Sequence, residues 1–495
     1  MKLIPLTNRY TFLGDGFYVK TQPTPVADPS LIKFNDELAT SLGLEVDALN
    51  TLKGLEIFSG NEIPEGAEPL AMAYAGHQFG HFNLQLGDGR AVYLGEITAT
   101  SGESVDIQLK GSGPTYYSRN GDGRSALGPV LREYLVSEAM FKLNVPTTRA
   151  LAAVSSGEEV ARERLTPGGV FTRIATSFIR VGSFEFFAAR RDVDALKKLA
   201  DYVIERNYPA LQASENPYLA FLNAVVERQA SLIAKWMQLG FIHGVMNTDN
   251  MSVVGETIDY GPCAFIDDYD HKQVFSSIDR DGRYAYSNQP TIGLWNLTRL
   301  AESIVPLLAD DTDEAVKLAQ EELKSYIGSY EAAWLSGMRA KFGLTMNADS
   351  NNDDKPLIEN LFDIMHENRA DFTLSFFHLS RLARFPSDAD NEIRDLFDND
   401  EAFDEWLVKW RERLVKEAVS DAERQCNMQA VNPVYIPRNH QIEAAIRAAE
   451  DRNDFSVFHA LHEVLQSPFT LQEGKEGYMQ PPKPSEIVHN TFCGT

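Results

Sequence analysis

The sequence predicts a two-lobed α/β (α+β) protein, a mixed α/β lobe followed by a larger helical lobe, with an extension at each end. Three observations carry that prediction. Residues 71–190 are rich in Gly and contain stretches that alternate apolar and polar side chains, the period of a half-buried strand. After about residue 190 the apolar side chains fall at helical spacing. Early in this helical half lies a polar stretch, His243 to Asn250, followed by Asp259-Tyr260-Gly261. The expected division is an N-terminal extension over 1–70, the mixed lobe over 71–190, the helical lobe over 191–470 and a tail over 471–495.

The elements follow in order. A helix is expected from Pro29 to Leu42, ended by Gly43. Residues 91–97 and 105–110 read as a strand pair, the second alternating as Val105-Asp106-Ile107-Gln108-Leu109-Lys110. A Gly-rich loop, Gly111 to Gly128, leads to a helix from Pro129 to Leu143, with proline at its start where a missing N–H costs nothing. Residues 170–175 and 178–181 read as further strands. Leu222, Val225, Val226, Leu232, Ile233 and Trp236 share a helical face, and Gly240 supplies a stop. Another helix is expected around Leu294 to Leu307. Asn347 to Asp354 reads as an acidic surface loop, because it lacks the glycine and the twelfth-position glutamate of a calcium loop. Residues 391–465 read as helical and acidic, and the chain from Gln472 as extended.

Composition narrows the function. The 495 residues are enough for more than one lobe, and 43% hydrophobic with 24% charged side chains is ordinary for a globular protein. The net charge of −25 argues against a nucleic-acid partner, which needs a basic face. Three cysteines, Cys263, Cys426 and Cys493, are too few for a disulfide scaffold. No apolar run is long enough for a membrane span and no leader pattern opens the chain, so a cytoplasmic location is expected.

The chemistry centres on the polar stretch. A kinase catalytic loop runs His-Arg-Asp-x-x-x-x-Asn, and an Asp-Phe-Gly follows. His243 and Asn250 align with the His and Asn, and Asp259-Tyr260-Gly261 aligns with the second motif. The base position holds Val245, which cannot accept a proton. Asn250 and Asp259 offer hard oxygen ligands of the kind that hold Mg²⁺ or Mn²⁺. Asp249 is the one carboxylate within the loop. It can serve as a displaced general base, as a partner of the metal or as a turn-stabilising residue, and the residues alone leave these open. His243 is expected to be structural.

Lys110 and Glu133, taken alone, are a surface lysine and a solvated glutamate. With Asn250 and Asp259 downstream they read as the lysine–glutamate pair that kinases place on nucleotide phosphates. Gly87-Asp88-Gly89-Arg90 and Gly121-Asp122-Gly123-Arg124 are tight turns by composition. Glycine allows close approach to an anion and arginine can fork onto it, although each turn alone reads as a hairpin with an exposed arginine. Arg173 and Arg180 suit phosphate, whose oxygens a planar guanidinium can bind in pairs, although without further context each reads as an exposed strand arginine. His77 and His81 are four apart, a spacing open to a helical metal pair, but no His-Glu-x-x-His surrounds them.

The chain closely resembles the selenoprotein O (YdiU) family of pseudokinase-like protein adenylyltransferases over nearly its whole length. The likeness rests on Tyr74 to Gly80, Leu86 to Arg90, Gln108 to Gly113, Ser118 to Arg124, His243 to Asn250, Asp259 to Pro262 and Asn432 to His440. It implies a two-lobed protein-kinase-like fold, with ATP held inverted so that its α-phosphate faces the acceptor. It implies that Gly87, Gly89 and Arg90 form a first nucleotide turn, and Asp122 and Gly123 a second. Lys110 is implied to bind phosphate with Glu133 as its partner, and Arg173 and Arg180 to receive the inverted phosphates. Asp249 is implied as proton acceptor, and Asn250 and Asp259 as Mg²⁺ ligands. Many animal members carry selenocysteine near the C-terminus where this chain has Cys493; Cys493 reads as an incidental terminal thiol, with a regulatory disulfide to Cys263 as the alternative.

The expected activity is transfer of AMP from ATP to Ser, Thr or Tyr hydroxyls of proteins, with release of pyrophosphate. The rival expectations are uridylyl transfer from UTP, a protein kinase with a displaced base, and a non-catalytic ATP-binding, redox-linked scaffold.

Overall fold

Alternation along the strands builds a sheet with two different faces. The computed structural model describes residues 2–345, 354–398 and 400–491. The strands are β1 (Tyr18–Lys20), β2 (Ser30–Phe34), β3 (Leu70–Met72), β4 (Gly76–Gln78), β5 (His81–Asn83), β6 (Ala91–Thr98), β7 (Ser104–Lys110), β8 (Ser125–Ala126), β9 (Arg149–Ala161), β10 (Leu165–Ala175), β11 (Phe241–Ile242) and β12 (Ala264–Phe265). The main sheet runs β1-β3-β6-β7-β10-β9-β2, with β8 on β10, and its pairings are antiparallel. Ile107 and Leu109 of β7 enter a core with Val92, Leu94, Val170 and Ile174. Gln108 and Lys110 therefore point the other way, because successive strand side chains take opposite faces.

Three short helices, α1 (Asp36–Ser41), α2 (Val46–Leu49) and α3 (Leu52–Ser59), cover that first core with Leu38, Leu49, Ile57 and Phe58. The opposite face carries α4 (Leu127–Lys142), which packs on β9 and β10. Helix α4 is buried nearly all round, which requires cover on its far side too. The remaining helices are α5 (Val181–Ala188), α6 (Val193–Asn207), α7 (Pro217–Leu239), α8 (Gln289–Leu308), α9 (Thr312–Phe342), α10 (Asp354–Asn368), α11 (Phe372–Leu379), α12 (Ala389–Arg394), α13 (Asp400–Leu414), α14 (Asp421–Gln429), α15 (Asn439–Arg452) and α16 (Ser456–Leu465). The cover of α4 comes from α15 and α16. Helices α7, α8 and α9 pack on one another at the centre of the helical lobe. The result is the expected α/β, kinase-like arrangement of an antiparallel-sheet lobe and a helical lobe. Among the described residues, no helix is long and apolar enough to cross a membrane.

Two expected elements differ. The helix expected over 29–42 is a strand followed by a helix: Ser30–Phe34 pairs with β9, and only Asp36–Ser41 is helical. Asn35 divides them because its side chain accepts the Leu38 N–H at 3.0 Å and starts α1 as its N-cap. The strand expected over 178–181 is not one. Arg180 makes a single bridge to Ser252, and Val181 already begins α5. The other expected strands and helices are present, with α7 ending at a left-handed Gly240, but the chain from Gln472 is not simply extended: it folds a 3-10 turn at Glu476–Tyr478, whose Tyr478 N–H bonds the Lys475 carbonyl at 3.0 Å. Of the acidic loop expected over 347–354, all but Asp354 lies outside the described residues. Asp354 itself is no surface residue: it is fully buried between Arg339 and Arg413, each at 2.7 Å. Cys493 also lies outside the described residues.

Candidate active site

Register brings the charged residues together. Arg173 of β10 lies opposite Gln108 of β7, and its Nε donates to Gln108 Oε1 at 2.8 Å. Lys110, at the end of β7, donates to Glu133 of α4 at 2.6 Å and to Asp259 Oδ1 at 2.9 Å. Arg173 Nη1 reaches Asp259 Oδ1 at 2.7 Å and Glu133 at 3.3 Å. Arg180 Nη1 adds Asp259 Oδ2 at 3.2 Å and the backbone carbonyl of Asp249 at 2.7 Å. Three cations thus meet two carboxylates. Burial works against ionisation of Asp259, but Lys110, Arg173 and Arg180 outweigh it and hold the acid well below the usual carboxylate range. Asp259 also has φ +63°, a left-handed backbone uncommon outside glycine, and Gly261 N–H bonds its carbonyl at 2.9 Å.

The catalytic-like loop is set by the helical lobe. Gln289 of α8 accepts from His243 N–H at 3.0 Å and donates to the Phe241 carbonyl at 2.8 Å, and Asn296 donates to the Met246 carbonyl at 2.9 Å. His243 Nε2 donates to the Ile258 carbonyl at 2.8 Å, so Nδ1 is left to accept from Val245 N–H at 3.3 Å. Nε2 thus ties the loop to the segment before Asp259, and Nδ1 is used within the loop. Burial lowers the pKa of this imidazole further. His243 therefore holds the loop in place.

Asp249 is packed by the β4–β5 hairpin. Gln78 Nε2 donates to Asp249 Oδ2 at 3.1 Å. His77 N–H bonds Thr248 Oγ1 at 2.7 Å, Phe79 N–H bonds Asn247 Oδ1 at 3.0 Å, and His77 Nδ1 meets Glu185 at 2.5 Å. Glu185 in turn accepts from Thr248 Oγ1. His77 and His81 are thus strand residues around a tight hairpin, not a helical pair. Asp249 Oδ1 is buried with no hydrogen-bond partner, and burial pushes this carboxyl up to about 6.

Lys110, Glu133, Arg173, Arg180, Asp249, Asn250 and Asp259 line one cleft of about 850 Å³ between the lobes. Gly87, Gly89, Arg90, Asp122 and Gly123 also line it. Gly87 has φ +66°, and a Cβ there would lie 2.2 Å from the Tyr117 ring; Gly123 has φ +63° and the same crowding against Gly113. Asp122 pairs with Arg162 at 2.8 Å. The arginine of that second turn, Arg124, is spent on the carbonyls of Thr24 and Pro25, each at 2.8 Å. The structure therefore brings every sequence-predicted site residue to the same cavity, with Val245 on its wall.

Sequence reasoning missed Gln78, Tyr74 and Asp88. Tyr74 stacks under Arg180 at 4.5 Å. Buried Asp88 accepts from Met72 N–H at 3.1 Å and Gln108 at 3.0 Å, tying the first turn to the sheet. Gln78 and Tyr74 fall within Tyr74 to Gly80 and Asp88 within Leu86 to Arg90, strings that carried the resemblance, but nothing local in those strings assigns them a role.

Asn250 Nδ2 donates to the Val245 carbonyl at 3.1 Å, which leaves Oδ1 as its ligand atom. Asn250 Oδ1 and the Asp259 carboxylate are hard oxygen donors lining the same cleft. This set fits a divalent ion such as Mg²⁺ or Mn²⁺.

The fold and cleft define a kinase-like nucleotide-handling protein whose usual base position is apolar. The family model described as "Protein adenylyltransferase SelO" matches residues 3–466. The chain is 56% identical over 491 residues to a protein of Bradyrhizobium sp. strain BTAi1 named "Protein nucleotidyltransferase YdiU", across 99% of each chain. It is 57% identical to proteins of the same name from Rhodopseudomonas palustris strain BisB18 and Rhizobium meliloti strain 1021, again across 99% of each chain. The chain belongs to the SelO protein adenylyltransferase family and is an enzyme of the nucleotidyltransferase class.

Proposed function

We propose that this cleft transfers AMP from ATP to a Ser, Thr or Tyr hydroxyl of a protein and releases pyrophosphate. The observation that carries this reading is Asp249. It is a buried carboxylate with one orphaned oxygen and a raised pKa, beside Asn250 and within the same cleft as Asp259. Val245, where a kinase has its base, offers no proton acceptor. The family supports nucleotidyl transfer.

In this reading ATP enters with its α-phosphate toward Asp249. Lys110, Arg173 and Arg180, which now converge on Asp259, give fixed positive charge to the phosphates. Asn250 and Asp259 would hold Mg²⁺ or Mn²⁺, which neutralises charge on the phosphates and the leaving group. Gly87, Gly89, Arg90, Asp122 and Gly123 flank the nucleotide, and Glu133 keeps Lys110 in position. Asp249 takes the hydroxyl proton as the acceptor oxygen bonds to the α-phosphorus and the bond to the β-phosphate oxygen breaks. Protein, AMP, proton and pyrophosphate are then all accounted for.

Parallel reactions with α- and γ-labelled ATP test the proposal, with peptide mapping of the labelled hydroxyl. Label transferred from the α-position, with pyrophosphate in solution, is expected. Transfer from the γ-position alone would make the protein a kinase with a displaced base and overturn the reading. No label on any protein from either position would leave a nucleotide-binding scaffold. Labelled UTP run alongside reads the base preference.

A further inference from the structure

Away from the cleft, the loop after Asp259-Tyr260-Gly261 carries Asp270 and His271, and α10 brings His366 against them. One ligand atom from each of the three lies within 4.8 Å of the others. His366 Nδ1 is 3.6 Å from Asp270 Oδ1, and His271 Nδ1 is 3.9 Å from the same oxygen. The two imidazoles have centroids 4.5 Å apart. These separations are too long for hydrogen bonds. His366 Nδ1 is shielded from solvent and has no hydrogen-bond partner. Two imidazoles and a carboxylate therefore face one another without bonding to one another, around an orphaned nitrogen.

The spacing suits an ion. Zinc sits about 2.0–2.2 Å from nitrogen and oxygen ligands, so tetrahedral ligands stand roughly 3.3–3.5 Å apart. The carboxylate is already oriented, because Lys272 N–H donates to Asp270 Oδ1 at 2.8 Å, the kind of support that fixes a ligating group. The backbone around it is also held: Tyr269 N–H bonds the Ala370 carbonyl at 2.9 Å, and Ser287 N–H bonds the His271 carbonyl at 3.0 Å. Each of the three side chains is between 41% and 45% exposed, which leaves room for water as a fourth ligand and a path of entry.

We propose that Asp270, His271 and His366 form a surface site for one transition-metal ion of the Zn²⁺ type, which ties the loop after Asp259-Tyr260-Gly261 to α10. Two imidazoles and one carboxylate favour Zn²⁺, Co²⁺, Ni²⁺ or Cu²⁺ over Mg²⁺. The all-oxygen set at Asn250 and Asp259 has the opposite preference, so the two sites differ in metal as well as in place.

The test uses the full chain, stripped with chelator and kept in excess Mg²⁺, titrated with Zn²⁺ by calorimetry and with Co²⁺ by visible absorption. One equivalent is expected to bind and to raise the melting temperature. Both effects should vanish in His271→Ala and in His366→Ala, two variants on separate elements, and persist in Asp259→Ala. No stoichiometric binding by the unmodified protein would overturn the proposal. So would unchanged binding in the two histidine variants, or its loss in Asp259→Ala, which would put the ion in the cleft.

Discussion

A Cβ on Gly76 would lie 2.6 Å from Asp249 Oδ1 and 2.9 Å from its Cβ. The carboxylate that the proposed mechanism uses as base is thus seated against bare backbone. Gly76→Ala is expected to push Asp249 off line and lower turnover at least tenfold. Crowding of this kind costs about 1–3 kcal/mol, so melting would show a folded protein. Initial rates with labelled ATP beside a melting curve check this; an unchanged rate would mean that Asp249 does not need its present seat. Glu256 gives a second prediction. Burial pushes its carboxyl up to about 7, with Asp106 adding to the shift and Thr176 and Arg206 opposing it. The folded state then keeps its proton at pH values where the unfolded chain has lost it, so stability falls as pH rises from the ordinary 4.5 toward about 7. Glu256 opens onto a side cavity, which softens the effect to at most about 3 kcal/mol. Glu256→Gln can still accept from Thr176 N–H, a bond of 3.0 Å in the parent. Its melting temperature should therefore gain on the parent between pH 5 and pH 8, whereas parallel curves would rule the shift out.

At the scale of elements, α4 carries Glu133 to Lys110 and is held from both sides. Gly128 N–H bonds Glu450 at 3.0 Å, Arg132 bonds Asn439 at 2.7 Å, and Tyr134 packs edge-on against Phe458 at 5.7 Å. Helices α15 and α16 thereby back the helix that carries Glu133. Phe458 is fully buried, so Phe458→Ala should cost about 3–5 kcal/mol in urea unfolding and weaken ATP binding. Full nucleotide affinity in that variant would show that α4 holds its place without this cover. Much of this scale was legible in the sequence. The alternation of 105–110 set both the faces of β7 and the direction of Lys110, and Gly240 marked the end of α7. The strand at 30–34 was hidden because its partner β9 lies more than a hundred residues away and an N-cap signal follows at once. Arg180 read as a strand residue because the extended backbone there serves one bridge and not a sheet. Gln78 was illegible for the same reason of distance: its role depends on a hydrogen bond across 171 residues.

At the scale of the molecule, a chain of net charge −25 keeps Lys110, Arg173 and Arg180 together in one cleft between its lobes. In the proposed reading the phosphates of ATP become partners of these cations and bridge both lobes. A ligand that binds only the folded state at a hundredfold excess over its Kd stabilises by about 2.7 kcal/mol. Saturating ATP with Mg²⁺ should therefore raise the melting temperature, and Lys110→Ala should lose most of that gain. An equal gain in Lys110→Ala would place the nucleotide elsewhere. Whether the cleft works on the α-phosphorus is read from a crystal structure with a non-hydrolysable ATP analogue and Mg²⁺. The α-phosphate is expected beside Asp249, with the β- and γ-phosphates on Lys110, Arg173 and Arg180. A γ-phosphate facing Asp249 would contradict it.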